Sequence, residues 1–251
     1  MNRDQVSEFE VTSANKTFYD TVGEDYERID GRRSNTLETW ISENLMGIRA
    51  LAGGGRLLDV GTGSGLVLRC AKDLFSLRVG LDLSTRLLAI GRQSMDAGIA
   101  ANVNALPFAD DSFDVISSFA VIHHLYALEE VVSEFARVLK PGGVFYVEHD
   151  MDMAFNKRFA IPLLLYRALK NNRKKYCDCG YKISRELYSL TEWQETGVDY
   201  GHLESLLQKA GFSLQTRFHW FGLNPLTDKI FGGKNFSRGW APIISIIATK
   251  I

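Results

Sequence analysis

The feature that most constrains the fold is the stretch "RLLDVGTGSG" at residues 56–65. A short apolar run of the kind found in buried strands leads directly into a loop with three glycines at alternate positions. After this loop, short apolar runs alternate with segments whose apolar residues recur at helical spacing. That alternation is typical of a parallel sheet covered by helices, with a ligand at the first strand-to-helix turn.

The pattern predicts an α/β fold with a mainly parallel sheet. We predict strands at residues 57–60, 78–81, 101–103, 115–119 and 144–148, and two final strands at 213–219 and 243–249 that pair as an antiparallel hairpin at the sheet edge. A chain of 251 residues with 45% hydrophobic residues fits one domain. Within a single domain of residues 1–251, we expect residues 1–50 to form a helical cap. We expect residues 151–198, which interrupt the strand pattern, to form an inserted lid that binds substrate.

The net charge of the chain excludes a strong long-range electrostatic attraction to nucleic acid or to a membrane. The 29 Lys and Arg residues balance 30 Asp and Glu residues, for a net charge of −1. The first residues, "MNRDQVSEFE", lack an apolar leader, and no segment approaches the roughly 20 apolar residues that span a bilayer. We therefore expect a cytoplasmic protein. Its three cysteines, Cys70, Cys177 and Cys179, are too few for a disulfide framework.

The glycine loop does not suit a phosphate ligand. A dinucleotide fingerprint needs glycine at position 66, where the chain has Leu66, and a phosphate-binding Walker loop needs a Lys followed by Ser or Thr. Asp59 lies at the end of the strand, and the nearest basic residue is Arg69. Because a carboxylate repels phosphate and attracts a cation, the loop favours a nucleoside ligand that carries positive charge.

Several stretches together resemble the class I S-adenosylmethionine-dependent methyltransferases, in particular the small-molecule group that includes the ubiquinone and menaquinone methyltransferases. They are "LLDVGTGSG", "VGLDLS", "ANVNALPFADDSFDVISSFAVIHHL", "EFARVLKPGGVFYVEHD" and "LLQKAGF". The resemblance implies a Rossmann-like fold of seven mainly parallel strands with helices on both faces. It also implies a methyltransferase that uses S-adenosyl-L-methionine and releases S-adenosyl-L-homocysteine.

The resemblance also implies roles for individual residues. Gly61, Gly63 and Gly65 would contact the methionine part of the cofactor, with Asp59 near its ammonium group. Asp82 follows Gly65 by seventeen residues, where a carboxylate can accept both ribose hydroxyls.

Further residues would surround the adenine and cover the cofactor. Leu83 would lie against the adenine face. Asn102 stands where the family most often has an acid that accepts from the adenine amino group, and its side-chain oxygen can also accept that bond. The remaining predicted cofactor-binding residues are Val103, Phe119, Tyr19 and Tyr26.

The chemistry requires few catalytic groups. Methyl transfer is an in-line displacement at an activated carbon, so most acceleration can come from holding the acceptor about 3 Å from the methyl group. For a hydroxyl or protonated amine acceptor, His123 and His124 at the end of the fourth strand are the candidate bases, with one of the two structural. His149 is a candidate substrate contact, and Asp150 a candidate cap for the next segment. Cys177 and Cys179 lack the partner ligands of a closed metal site, so no metal is expected.

The acceptor is expected to be a small molecule methylated on oxygen, nitrogen or carbon. Residues 154–175 hold seven basic residues, no acid and a run of apolar residues. This pattern favours a lid over an amphiphilic or anionic acceptor, or a helix that rests on anionic lipid as a peripheral membrane contact; a solvated cap helix fits equally well.

Other classes of function remain open from the sequence. A nucleic-acid acceptor is not expected, because "SSFAVIHHL" replaces the Asn/Asp-Pro-Pro-aromatic turn of base-amino methyltransferases and no Pro-Cys nucleophile is present. A non-catalytic S-adenosylmethionine-binding regulator and an NAD(P)-dependent oxidoreductase share the architecture. The sequence does not indicate an oligomeric state.

Overall fold

The fold is built on one seven-stranded sheet with helices on both faces. The computed structural model describes residues 3–30, 34–169, 176, 180–223 and 225–251. The strands are β1 Arg56–Val60, β2 Leu77–Asp82, β3 Ala97–Ala100, β4 Phe113–Phe119, β5 Leu139–Met151, β6 Phe212–His219 and β7 Ile243–Lys250.

The strand order is β3-β2-β1-β4-β5-β7-β6. Strands β1 to β5 pair in parallel, whereas β7 runs antiparallel to both β5 and β6. This confirms the predicted mainly parallel sheet with a reversed hairpin at one edge.

The third strand is not where the sequence pattern placed it. It was predicted at residues 101–103, but β3 is Ala97–Ala100, in register with the end of β2 from Val79↔Ala97 to Asp82↔Ala100. As an edge strand it alternates between half-buried and exposed residues, and its sequence, AGIA, has small residues apart from Ile99, so it lacks the large apolar residues that marked the other strands. Asn102 and Val103 therefore lie beyond its carboxyl end.

The helices that the structure describes begin at the N-terminal segment. They are α1 Glu8–Val22, α2 Tyr26–Asp30, α3 Asn35–Ala52, α4 Leu66–Cys70, α5 Thr85–Ile90, α6 Glu129–Val138, α7 Met153–Arg158, α8 Ala160–Leu169, α9 Arg185–Thr191, α10 Tyr200–Lys209 and α11 Pro225–Phe231. A capping box formed by Ser7 and Glu10 starts α1. Helix α3 starts at the Ser34 cap and ends at Gly53, whose φ of 67° suits glycine.

Two apolar clusters cover the two faces of the sheet. Adjacent residues of β1 divide between them, because side chains along a strand alternate between faces. Leu57 packs in the cluster that contains α3 and α4, and Leu58 packs in the cluster that contains α6 and α10. The apolar stripe of α3 is buried and consists of Leu37, Ile41, Leu45 and Ile48.

A third, smaller cluster joins the N-terminal helix to the segment after β5. The ring of Phe18 on α1 contacts Tyr176 and Tyr188 edge to face, with centroids 5.0 and 6.2 Å away. Cys177, Cys179 and residues 170–175 of the basic segment lie outside the described residues. Among the helices described, none has the length and apolar character needed to cross a bilayer.

Candidate cofactor cavity

The glycine loop after β1 has a backbone that requires glycine. Gly61, Gly63 and Gly65 have φ values of 62°, 54° and 82°, in the left-handed region. A Cβ at Gly61 would lie 2.5 Å from a methyl carbon of Val121, and one at Gly65 would lie 2.9 Å from the Cβ of Ser94. The loop therefore packs tightly against its neighbours, and Gly61 and Gly63 line the cavity beside it.

Asp82 connects this loop to the end of β2. Its carboxylate accepts hydrogen bonds from the backbone N–H groups of Gly63 and Ser84, both at 2.8 Å. Burial raises the pKa of Asp82. The carboxylate thus holds the loop in place and lies on the wall of the adjacent cavity.

An open cavity lies at the carboxyl ends of β1, β2 and β4. This is the position expected of a ligand site in an open α/β sheet. The predicted site residues that line it are Tyr19, Tyr26, Gly61, Gly63, Asp82, Leu83, Asn102, Val103, Phe119 and His124.

Three predicted site residues are not on the cavity wall. Gly65 caps the start of α4, and His123 lies beside the cavity. Asp59 is 2% exposed and accepts a hydrogen bond of 2.7 Å from the hydroxyl of Ser117 on β4. Burial raises the pKa of Asp59 to about 7. Asp59 therefore lies beneath the glycine loop as a readily protonated carboxyl group.

Helix α1 supplies one wall of the cavity. Tyr19 on this helix was predicted to cover the cofactor. Glu8, Val11, Thr12 and Asn15 also line the wall and were not predicted, because no motif marks them.

Several polar contacts fasten the N-terminal segment to the loops around the cavity. The Ser84 hydroxyl donates to Asp20 at 2.6 Å, and the Ser64 hydroxyl donates to Glu27 at 2.7 Å. The side-chain amide of Asn104 donates to Glu8. An ion pair of 2.7 Å joins Arg86 to Glu24.

The charge of the cavity wall is selective. Among the described residues that line it are two carboxylates, Glu8 and Asp82, and no Lys or Arg. A pyrophosphate would therefore find no counter-charge there, whereas a cationic nucleoside fits the wall. The donor set suits S-adenosylmethionine, which carries an ammonium and a sulfonium and no phosphate.

His124 is held in one neutral tautomer. Its Nδ1 lies 2.7 Å from the carbonyl oxygen of Thr191, which can only accept, so Nδ1 carries the proton. Its Nε2 lies 2.9 Å from the hydroxyl of Tyr19 and accepts from it. Burial and the neighbouring His123 lower the pKa of His124 to about 4, so the ring is uncharged at neutral pH.

His123 is oriented by a buried carboxylate. Its Nδ1 lies 2.7 Å from Asp150, which also accepts from the backbone N–H groups of Ile122 and His123. Its Nε2 is 3.8 Å from Glu192. The expectation that Asp150 caps the next segment is wrong, because Asp152 caps α7 by accepting from the N–H groups of Ala154 and Phe155.

His123, His124 and Glu192 bring three possible metal-binding atoms within 4.8 Å of one another. Both ring nitrogens of His124 and Nδ1 of His123 are already in hydrogen bonds. A metal ligated by His124 would have to displace Tyr19 or Thr191. In this structure the cluster is a hydrogen-bonded network.

His149 lies behind the cavity. It has a φ of 66°, at the irregularity in the pairing of β5 with β7, and its ring stacks on Phe119 at 4.4 Å. Its Nδ1 is 3.2 Å from Glu148, which also accepts from His219 at 2.8 Å and from Tyr146 at 2.7 Å. These donors hold the pKa of Glu148 well below its usual range despite burial. His149 supports Phe119 and is not among the residues that line the cavity.

Comparisons with known proteins agree with this geometry. A family model described as a methyltransferase domain matches residues 58–147, which run from β1 into β5. Of solved structures, an S-adenosylmethionine-dependent methyltransferase of Thermotoga maritima superposes with a TM-score of 0.61 at 19% identity, covering 94% of this chain and 99% of that one. This likeness shows the shared fold.

Sequence relatives cover different shares of the chain. An uncharacterized protein of Methanocaldococcus jannaschii is 26% identical over 94% of this chain and 90% of its own length. A demethylmenaquinone methyltransferase of Chlorobaculum parvum is 38% identical over 38% of this chain and 41% of its length. A tRNA (carboxymethyluridine(34)-5-O)-methyltransferase of Macaca fascicularis is 33% identical over 59% of this chain, which spans only 22% of that protein.

The sheet order, the cavity at the carboxyl ends of its strands and the lack of Lys and Arg on its described wall fit a cofactor-binding Rossmann-like fold. The methyltransferase domain matched at residues 58–147 supports a class I S-adenosylmethionine-dependent methyltransferase. The resemblance noted in the sequence is confirmed, and S-adenosylmethionine is the cofactor.

Proposed function

We propose that the enzyme transfers the methyl group to a small-molecule acceptor, on oxygen, nitrogen or carbon, by in-line displacement. The observation that carries the proposal is the cavity itself. Helix α1 and the strand ends bound it on two sides, and its described wall has two carboxylates and no Lys or Arg. Such a space suits a small acceptor better than a phosphate backbone.

Cofactor binding is assigned to the cavity residues. Asp82 would accept the ribose hydroxyls with the lone pairs that Gly63 and Ser84 leave available, and Asn102 would accept from the adenine amino group. Leu83 and Val103 would hold the adenine between apolar side chains. Gly61 and Gly63 would contact the methionine part, with Gly65 fixing the loop.

Asp59, from beneath the loop, would supply negative charge for the ammonium group. Tyr19, Tyr26 and Phe119 would enclose the cofactor. The cofactor supplies a methyl group already activated on sulfur, so the main task of the protein is to position the acceptor.

Of the two histidines, we propose that His123 is the base and that His124 is a positioning residue. Asp150 accepts from Nδ1 of His123 and orients the ring, so Nε2 would be the nitrogen that takes the proton of the acceptor. His124 accepts from the Tyr19 hydroxyl and fixes that side chain in the cavity wall.

The two roles predict different kinetic effects. For a hydroxyl acceptor, we expect His123→Ala to lower kcat by about 10²-fold or more while the Kd for S-adenosylhomocysteine is unchanged. We expect His124→Ala to weaken that affinity with a smaller effect on kcat. Single-turnover kinetics and calorimetry of both variants separate the outcomes, and an unchanged kcat in His123→Ala would remove it as the base.

The segments outside the matched domain would form the cover of the site. We propose that residues 1–50 and residues 151–198 act as one cap and lid within a single domain. This is supported by the packing of Phe18 on Tyr176 and Tyr188, and by the contact of Thr191 with His124.

The test is transfer of labelled methyl from S-adenosylmethionine to separated pools of small metabolites, lipids, RNA and proteins. We expect label in the metabolite or lipid pool, and Asp82→Ala as a matched control should abolish it at limiting cofactor. Label confined to RNA or protein would overturn the small-molecule proposal. No label in any pool would favour a cofactor-binding regulator.

A tRNA acceptor is the second candidate. The macaque relative is named a tRNA methyltransferase, and residues 154–175 of this chain carry seven basic residues and no acid. The RNA pool of the same experiment decides between the two acceptors.

A further inference from the structure

Helix α8 begins with large apolar side chains that are exposed. Ile161, Leu164 and Leu165 are 75%, 68% and 63% exposed. The helix reads "AIPLLLYRAL", a composition typical of a helix buried on most sides. An exposed helix of this kind marks a surface that meets a partner or a membrane.

An aromatic cluster joins α7, the helix directly before α8, to two neighbouring elements. Trp240 is 52% exposed, and the Arg158 guanidinium lies 4.4 Å over its ring. The Trp220 indole N–H donates to the Trp240 carbonyl, and its ring contacts Phe155 and Phe231 at 5.2 and 5.3 Å. Because Phe155 is on α7 and Phe231 ends α11, the cluster connects α7, α11 and the loop before β7.

Helix α11 adds two exposed apolar side chains beside this cluster, Leu226 at 66% and Ile230 at 53%. We call the combined set the apolar edge surface. Its members are Ile161, Leu164, Leu165, Leu226, Ile230 and Trp240.

The apolar edge surface lies at the same edge of the sheet as the cofactor cavity. Strand β5 ends at Met151, which pairs with Ile243 at the start of β7, and His219 at the end of β6 pairs with the same residue. The chain enters α7 directly after β5, and Trp220 directly follows β6. These elements therefore extend from the carboxyl ends of the strands, where the cavity also opens.

Positive charge accompanies the apolar side chains. In the sequence, residues 154–175 contain seven basic residues and no acid, and the described members Lys157 and Arg158 are exposed. Lys229 is exposed on α11 between Leu226 and Ile230. Arg238 is the exception, because it is paired with Asp199 at 3.4 Å and Asp152 at 3.8 Å.

The combination of charges and aliphatic side chains selects the partner. A second copy of the chain would bring two segments rich in Lys and Arg together, and like charges repel. RNA would satisfy the cations but gains little from Leu and Ile, since unpaired bases stack on aromatic side chains. An anionic bilayer offers phosphates for the cations, an acyl layer for the aliphatic side chains and an interface suited to Trp240.

We propose that the apolar edge surface docks on an anionic lipid bilayer. Docking would turn the edge of the sheet that holds the cavity toward the lipid headgroups. The proposal does not depend on the identity of the methyl acceptor, because lipid binding is measured without methyl transfer.

The test is flotation of the full chain with vesicles of phosphatidylcholine alone and of phosphatidylcholine mixed with phosphatidylglycerol. We expect binding to the anionic vesicles, at least tenfold weaker binding to the neutral ones, and release as salt is raised. Equal binding to both vesicles, or binding to neither, would overturn the proposal.

Two double variants locate the surface. We expect Leu164→Glu with Leu165→Glu to lower anionic-vesicle binding at least tenfold. The matched control, Met46→Glu with Leu51→Glu, changes side chains on α3 that are 59% and 50% exposed, and we expect it to bind like the wild type. Stabilisation by S-adenosylhomocysteine in a thermal melt verifies that both variants are folded.

Two outcomes of these variants would contradict docking through this surface. One is wild-type vesicle binding by the α8 variant. The other is a dimer in vesicle-free solution that the same variant abolishes.

Discussion

Two buried carboxylates at the ends of neighbouring strands have different partners. Asp82 accepts from two backbone N–H groups and lies on the cavity wall, whereas Asp59 accepts from the Ser117 hydroxyl beneath the glycine loop. Asp82 can meet a ligand directly. Asp59 acts on it through charge from below, and that charge depends on pH.

Replacing Asp82 should weaken cofactor binding. We expect Asp82→Ala to raise the Kd for S-adenosylhomocysteine at least tenfold, about 1.4 kcal/mol, because both the ribose acceptor and the support of Gly63 are lost. Asp96→Ala is the matched control, since Asp96 also accepts from a backbone N–H, that of Arg78, but lies outside the cavity lining. Isothermal calorimetry measures both, and an unchanged Kd for Asp82→Ala would remove Asp82 from the ribose.

Asp59 should make the stability of the protein depend on pH. The pKa of Asp59 is about 7 in the folded chain, whereas the ordinary pKa of an aspartate is 3.8. At pH values between these two, the folded state therefore binds more protons than the unfolded state. Stability therefore falls as pH rises from about 4 to about 7. At pH 8 we expect Asp59→Asn to be more stable than the wild type by about 2 to 4 kcal/mol, with no difference near pH 4. Urea unfolding at both pH values measures this difference. A wild type whose free energy of unfolding rises relative to that of the variant between pH 4 and pH 8 would refute the prediction.

At the scale of elements, the irregularity in β5 depends on a glycine in another segment. Gly222 has a φ of 89°, and a Cβ there would lie 2.0 Å from Nε2 of His149. Gly211 has a φ of 87°, but nothing lies within 4 Å of its Cβ position. An alanine would therefore meet similar backbone strain at both positions, but its Cβ would clash with a neighbouring side chain only at Gly222.

This difference gives a matched pair of variants. We expect Gly211→Ala to cost about 1 to 2 kcal/mol of unfolding free energy from strain alone. Gly222→Ala should cost about 1 to 3 kcal/mol more, because it displaces His149 from Phe119. In a His149→Ala background the extra cost of Gly222→Ala should vanish, and its persistence in urea unfolding would show that His149 is not the cause.

Elements with a local signal were predictable from the sequence, and those defined by long-range packing were not. The glycine loop and Asp82 were found because strand, glycine spacing and acid lie together in the chain. β3 was misplaced because an edge strand of small residues carries little apolar pattern. The N-terminal cap and Tyr19 were expected, but Glu8, Val11, Thr12 and Asn15 on α1 were missed because they are distant in sequence from β1 and belong to no motif.

At the scale of the whole molecule, ligand binding should distinguish the cofactor. A ligand that binds only the folded chain stabilises it by about 2.7 kcal/mol at a hundred times its Kd. We expect S-adenosylhomocysteine to raise the thermal midpoint, and NADH to leave it unchanged, because the described cavity wall offers a pyrophosphate no cation. Stabilisation by NADH alone in a thermal melt would favour an oxidoreductase.

The attachment of the N-terminal segment has a consequence for how fast the enzyme turns over. α1 and the residues that follow it are tied to the cavity loops through Asp20, Glu24 and Glu27, and to the histidine pair through Tyr19. We expect the exchange of S-adenosylhomocysteine for S-adenosylmethionine to require that these contacts open. We expect product escape, and not methyl transfer itself, to set the pace of the catalytic cycle.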